Sequence, residues 1–201
     1  RKNKGTGSKY IMKQGYLVVL SAPSGTGKTT ICKELLKRNE KWKFSISATT
    51  REKRDHEKDG VDYIFMDKDK FNHQVKFGEF LETEWVHGHQ YGTLIAPIEE
   101  ALARKEITLL DVDVKGGFNI RDEFGDQVIS IFIEPPGEKD SDKLFVLEER
   151  LSKRGDENPT LIKQRLRRFE NEMSYKKRFE HHFINDDYEK TVDEIEKTIK
   201  R

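Results

Sequence analysis

Apolar residues in this chain fall in short clusters whose spacing changes from segment to segment, and that spacing divides the sequence. Residues 16–20 form an unbroken aliphatic and aromatic run, which predicts a strand covered on both faces. From Thr29 the period lengthens, and Ile31, Leu35 and Leu36 fall on one side of a helix. The succession returns downstream. Pro97 stands in the first turn of a helix bearing Ile98, Ala101 and Leu102, which leads into a strand at 107–112; another strand at 128–133 ends at Pro135 and Pro136. Residues 182–187 read as one last short strand, with a closing helix from about Tyr188. Strands alternating with helices predict an α/β fold with a parallel sheet covered on both faces.

Two stretches interrupt the alternation. Residues 44–94 carry strand-like runs at 44–49, 63–66, 80–86 and 90–94 around a small helix with Phe71 and Val75 a turn apart, a mixed α+β insertion. Residues 143–180 carry two charged helices. Leu144, Leu147 and Leu151 mark the first, Gly155 stops it, and Asn158 and Pro159 cap the second, whose stripe is Ile162, Leu166, Phe169 and Met173. The expected organisation is a core of 14–43, 95–142 and 181–201, an inserted region at 44–94, and a helical lid with its return helix at 143–180. Residues 1–13 read as a disordered or appended basic tail.

Composition narrows the partners. Charged residues make up 37% of the chain, yet 38 Lys and Arg against 37 Asp and Glu leave a net charge of +1. No overall field draws the chain to polymeric nucleic acid or to a membrane, so affinity for phosphate has to be local. No run approaches the roughly 20 apolar residues of a membrane span, and no apolar core follows the N-terminal bases as a secretory leader requires. The lone Cys32 forbids an intrachain disulfide or a cysteine metal cluster, which points to the cytoplasm.

Candidate chemistry begins between the first strand and the first helix, at Ala22-Pro23-Ser24-Gly25-Thr26-Gly27-Lys28-Thr29, followed by Thr30. This is the phosphate-loop pattern G-x-x-x-x-G-K-[ST] with Ala22 in place of the first Gly. Gly25 and Gly27 let backbone N–H groups turn onto phosphate oxygens, and the helix adds its positive end. Lys28 reaches the β and γ phosphates of ATP, and the Thr29 hydroxyl is a ligand for Mg2+. Asp111 ends the strand at 107–112, where a carboxylate holds the Mg2+ shell, directly or through water. The loop alone serves ATPases, GTPases and small-molecule kinases alike. No N-K-x-D or T-K-x-D guanine loop supports the GTPase alternative.

The inserted region narrows the class. Phe44-Ser45-Ile46-Ser47-Ala48-Thr49-Thr50-Arg51-Glu52-Lys53-Arg54, Gly60-Val61-Asp62-Tyr63-Ile64-Phe65, Phe80-Leu81-Glu82, Gly88-His89-Gln90-Tyr91-Gly92-Thr93 and Leu110-Asp111-Val112-Asp113 resemble, in order, the motifs of the guanylate kinase family. The resemblance runs over about residues 16–197. It implies a three-layer P-loop NTPase fold in which 44–94 binds GMP, and transfer of the γ-phosphoryl group of MgATP to GMP or dGMP in purine nucleotide metabolism. It further implies that Arg51, Arg54, Tyr63 and Tyr91 hold the GMP phosphate and that Ser47, Glu82, Thr93 and Asp113 surround guanine. Arg150, Arg154 and Arg165 are implied on the triphosphate and the transferring group, with Lys28 and Arg51 also catalytic, and Asn185 in an adenine-side loop. Arg167 and Arg168 have no such match and read as solvated. In two places the chain departs from the family pattern, with Val114-Lys115 after Asp113 and His89-Gln90 before Tyr91.

Elementary chemistry agrees with the base assignment. Guanine presents N1–H and an exocyclic amine as adjacent donors, which suits an ionised Glu82, whereas adenine presents an acceptor at N1. The attacking group is itself a phosphate oxygen, largely ionised near neutrality, so catalysis needs no general base and reduces to positioning and charge neutralisation. Two rivals share the pattern: a guanylate-kinase-like protein-binding module, which typically lacks an intact phosphate loop, and a kinase for another nucleoside monophosphate. A monomer or homodimer is expected.

Overall fold

The computed structural model describes residues 15–86, 88–153 and 159–201. Arg154, the expected helix signals Gly155 and Asn158, and the 1–13 tail lie outside the described residues. The central sheet has five parallel strands in the order β2 (Lys43–Phe44), β7 (Ile107–Asp111), β1 (Tyr16–Ser21), β8 (Val128–Glu134) and β9 (His181–Ile184). All six residues of β1 are buried, as its unbroken apolar run requires in the middle of a sheet covered on both sides. Strand alternation sorts its side chains. Tyr16, Val18 and Leu20 join Ile31 and Leu35 of helix α1 (Lys28–Arg38) and Val192, Ile195 and Ile199 of α8 (Tyr188–Ile199) in one core. Leu17 and Val19 face a second core with Ile98 of α3 (Ile95–Ala103) and Val114 and Ile120 of α4 (Val114–Phe124). The result is three layers, helix on sheet on helix.

Helix α4 escapes the hydrophobic pattern because its buried face includes Gly116 and Gly117, which periodicity counts as breakers. Space explains them. A Cβ on Gly117 would lie 2.7 Å from Ser21 Oγ, and one on Gly116 3.2 Å from Glu82 Cγ, so the helix can come close to both sheets only without side chains there.

The run at 44–49 is divided between two sheets. Phe44 pairs with Leu109 in the central sheet, while β3 (Ala48–Thr49) pairs with Gly92 and Tyr91 in a second sheet of order β4 (Ile64–Phe65), β3, β6 (His89–Leu94), β5 (Phe80–Val86). Within that sheet β5 and β6 form an antiparallel hairpin, and Phe71 of α2 (Lys68–Lys76) stacks on Phe80 at 4.4 Å. The chain therefore passes from the central sheet to the second within residues 45–47.

The expected second helix at 159–173 is broken into α6 (Pro159–Leu166) and α7 (Phe169–Ser174). On either side of the turn at 167–168 Ile162 and Phe169 are both buried, and α6 packs against α5 (Asp140–Lys153). No helix among the described residues is long and apolar enough to cross a membrane.

Candidate functional site

The loop from Ala22 to Thr29 bends through two residues with positive φ, Gly25 at 90° and Gly27 at 102°. Both angles favour glycine, and a Cβ on Gly27 would also meet Asn185 Nδ2 at 2.7 Å. The loop is braced from behind. The Thr26 carbonyl accepts from Asn185 Nδ2 at 2.7 Å and Arg150 Nη1 at 3.3 Å, and Arg150 Nη2 donates to the Asn185 carbonyl at 2.9 Å. Buried carbonyls of such a loop need donors, and these two side chains supply them. Arg150 and Asn185 therefore support the loop's backbone here and do not line the cavity in front of it, nor does the exposed Thr30.

In front, Lys28 Nζ lies 2.7 Å from Asp111 Oδ1 and donates to the Val112 carbonyl, while Thr29 Oγ1 donates to Asp111 Oδ2 at 2.7 Å. Burial opposes the Lys28 charge, but the Asp111 carboxylate outweighs it and the ammonium titrates above its ordinary value. Asp113 caps a helix: its Oδ1 accepts from Gly116 N–H at 2.7 Å at the start of α4, and the residue also lines the cavity.

The cavity has a volume of about 620 Å³, within the range of small-molecule sites. Its wall runs from the loop to the second sheet and brings together Lys28, Thr29, Asp111, Ser47, Arg54, Tyr63, Glu82, Tyr91, Asp113 and Arg165. Thr93 lies just behind that wall, buried, its hydroxyl donating to Glu82 Oε1 at 2.7 Å. Burial pushes the Glu82 carboxyl up from its ordinary value; the Thr93 hydrogen bond opposes that shift, and the Asp113 and Glu84 carboxylates add to it. Arg51 is turned inward. Its terminal nitrogens engage Glu57 at 2.7 and 2.9 Å, its Nε donates to Tyr91 Oη at 3.2 Å, and the guanidinium lies 5.3 Å from the Tyr63 ring centroid. The hydrogen bond from Arg51 holds Glu57 at a pKa of about 2.

Several members of the site lie outside the sequence expectation. Glu84, Trp85, Gln164, Arg168 and Glu172 also line the cavity. Arg168, expected to be solvated, is exposed and also reaches across the cavity mouth, its Nη2 2.5 Å from Glu84 Oε1. Glu57 was hidden in the charged segment 51–58, and its only signal is its place six residues after Arg51. Alternation along β5 puts Glu84 on the Glu82 face, a signal available in the sequence.

A parallel sheet whose central strand runs through a glycine loop into a helix, with a Lys–Asp–Thr cluster in front and a carboxylate-bearing pocket opposite, defines a phosphate-loop nucleotide-binding protein. The guanylate kinase family model matches residues 14–201. Similar proteins include the guanylate kinases of Chlorobium chlorochromatii, 44% identical over 92% of this chain and 94% of the relative, and Carboxydothermus hydrogenoformans, 41% identical over 94% and 89%. The crystal structure of guanylate kinase from Anaplasma phagocytophilum is similar with a TM-score of 0.71 and 30% identity, over 94% of this chain and 87% of that one. The chain belongs to the guanylate kinase family and is an enzyme of that family.

Proposed function

We propose that the enzyme transfers the γ-phosphoryl group of ATP to GMP or dGMP in the cytoplasm, and that its cavity seats both nucleotides at once. The observation that carries this reading is the continuity of that cavity, which joins Lys28 on the phosphate loop to the half-buried Glu82 and its buried partner Thr93. An oxygen of the GMP phosphate attacks the γ-phosphorus, the bond to the bridging oxygen breaks, and ADP leaves. Lys28 and Arg165 offset charge on the donor side. Arg51, Arg54, Tyr63 and Tyr91 hold the acceptor phosphate, with Arg51 sharing its donors between Glu57 and the nucleotide. Ser47, Glu82 and Asp113 read the base, and Thr93 completes that set by holding the Glu82 carboxylate.

The hydroxyl of Thr29 and the carboxylate of Asp111 are adjacent hard oxygen donors 2.7 Å apart, which fits Mg2+. Bound with ATP, Mg2+ supplies further charge neutralisation at the β and γ phosphates.

An ADP-release assay with GMP, dGMP, AMP, CMP and UMP tests the reading. Turnover with the guanine nucleotides alone is expected. Preference for AMP would overturn the role of Glu82, and no turnover at all would leave a binding module.

The same reading assigns residues 44–94 to GMP binding and the 143–168 hairpin to a lid, the first closing with GMP and the second with ATP to exclude water. Small-angle scattering is expected to give a smaller radius of gyration with GMP and a non-hydrolysable ATP analogue than without nucleotide. Superimposable curves would contradict closure.

A further inference from the structure

One cation in the cavity has no part in the roles above. Arg168 sits at the break between α6 and α7. Its Nη2 lies 2.5 Å from Glu84 Oε1 on β5 and 3.9 Å from Asp113 Oδ2 at the start of α4, and its Nε lies 3.7 Å from Glu172 Oε1 on α7. Glu172 in turn accepts from the Ser24 N–H of the phosphate loop at 3.3 Å. A chain of polar contacts, Ser24 to Glu172 to Arg168 to Glu84, therefore runs from the donor loop to the acceptor sheet through a single helical corner. Arg165 lies three residues before Arg168 in the same corner, and the Arg168 N–H donates to the Arg165 carbonyl at 3.1 Å. Whatever fixes Arg168 thus fixes the backbone that carries Arg165 into the cavity.

We propose that Arg168 is a positioning residue for phosphoryl transfer: by pairing with Glu84 across the cleft it sets the α6–α7 corner, and with it Arg165, in register with both nucleotides. The proposal rests on the reading of the site as one for ATP and GMP. Arg168 is 47% exposed and Glu84 26%, so the pair is partly solvated and adds little to the stability of the nucleotide-free protein. Closing the cleft removes water from around it and strengthens it. Its contribution therefore falls on the closed complex rather than on folding. A guanidinium suits this corner better than an ammonium, because its planar fork can face Glu84, Asp113 and Glu172 together.

The test is a double-mutant cycle on the full chain with Arg168→Met, Glu84→Gln and the double variant, with Arg168→Lys as the conservative control. Each single variant is expected to lower kcat about tenfold, a factor worth about 1.4 kcal/mol, with KM for ATP within about twofold of the unsubstituted enzyme and the melting temperature unchanged. The double variant should be no slower than Arg168→Met alone, and Arg168→Lys should recover part of the rate. Losses that multiply in the double variant, or an Arg168→Met enzyme at the unsubstituted rate, would overturn the proposal while the unsubstituted chain still phosphorylates GMP. Absence of GMP turnover by the unsubstituted chain would overturn the functional reading and this proposal together.

Discussion

Lys28→Ala is expected to lower turnover with ATP and GMP by at least on the order of 10²–10³, the loss typical of removing one preorganised charge-stabilising donor, while GMP binding is retained. The reason lies in the separation of the two ends of the cavity. Lys28 belongs to the donor loop and engages Asp111 and Val112, whereas the residues proposed for the acceptor lie on the second sheet. Asp111 keeps the Thr29 hydroxyl as a partner in the variant, so the fold should survive, and an unchanged melting temperature would verify that. Calorimetric titration with GMP separates the two effects: equal affinity with lost turnover is the expected pair of results. Turnover near the unsubstituted rate would show that the loop does not hold the donor.

Glu82→Gln is expected to raise KM for GMP by on the order of 10²-fold and to collapse much of the preference for GMP over AMP. A site that pairs donors with a buried acceptor can discriminate by roughly 10⁴–10⁵, and an amide replaces one of the two acceptor oxygens with an opposing donor. The pH dependence sharpens the test. Glu82 must be ionised for both its oxygens to act as acceptors toward the two guanine donors, and burial raises its pKa above that of an ordinary carboxylate. Affinity for GMP should therefore be full at high pH and fall, as pH is lowered through the raised value, sooner than an exposed glutamate would cause. The phosphate of GMP titrates with a pKa of about 6 in both enzymes, so the difference between the two KM profiles isolates Glu82. Identical profiles would remove Glu82 from base recognition.

Much of the site was legible in the sequence because its parts are local. The phosphate loop needs glycines at two positive-φ positions beside a lysine and a hydroxyl, and all of these lie within eight residues between one strand and one helix. Glu82, Tyr91 and Thr93 were legible through motifs carried by a single hairpin. Antiparallel register accounts for the Glu82–Thr93 contact and sets Tyr91 opposite Glu84. Arg150 and Asn185 were legible as residues of interest but not in their placement, since bracing a carbonyl and facing a phosphate draw on the same side-chain chemistry.

The sequence by itself determined the alternation of strands and helices, the phosphate loop and the types of side chain around it, because hydrophobic period, glycine conformation and functional-group chemistry act within a few residues. Only the tertiary structure decided which sheet each half of 44–49 joins, that two glycines in α4 admit close packing, and where the lid helix breaks. It also decided that Arg168 meets Glu84, 84 residues away in the chain, and that Arg150 meets Thr26, 124 residues away. Those pairings depend on how separate elements pack, and no local period or propensity encodes the distance between two side chains brought together from opposite ends of a fold.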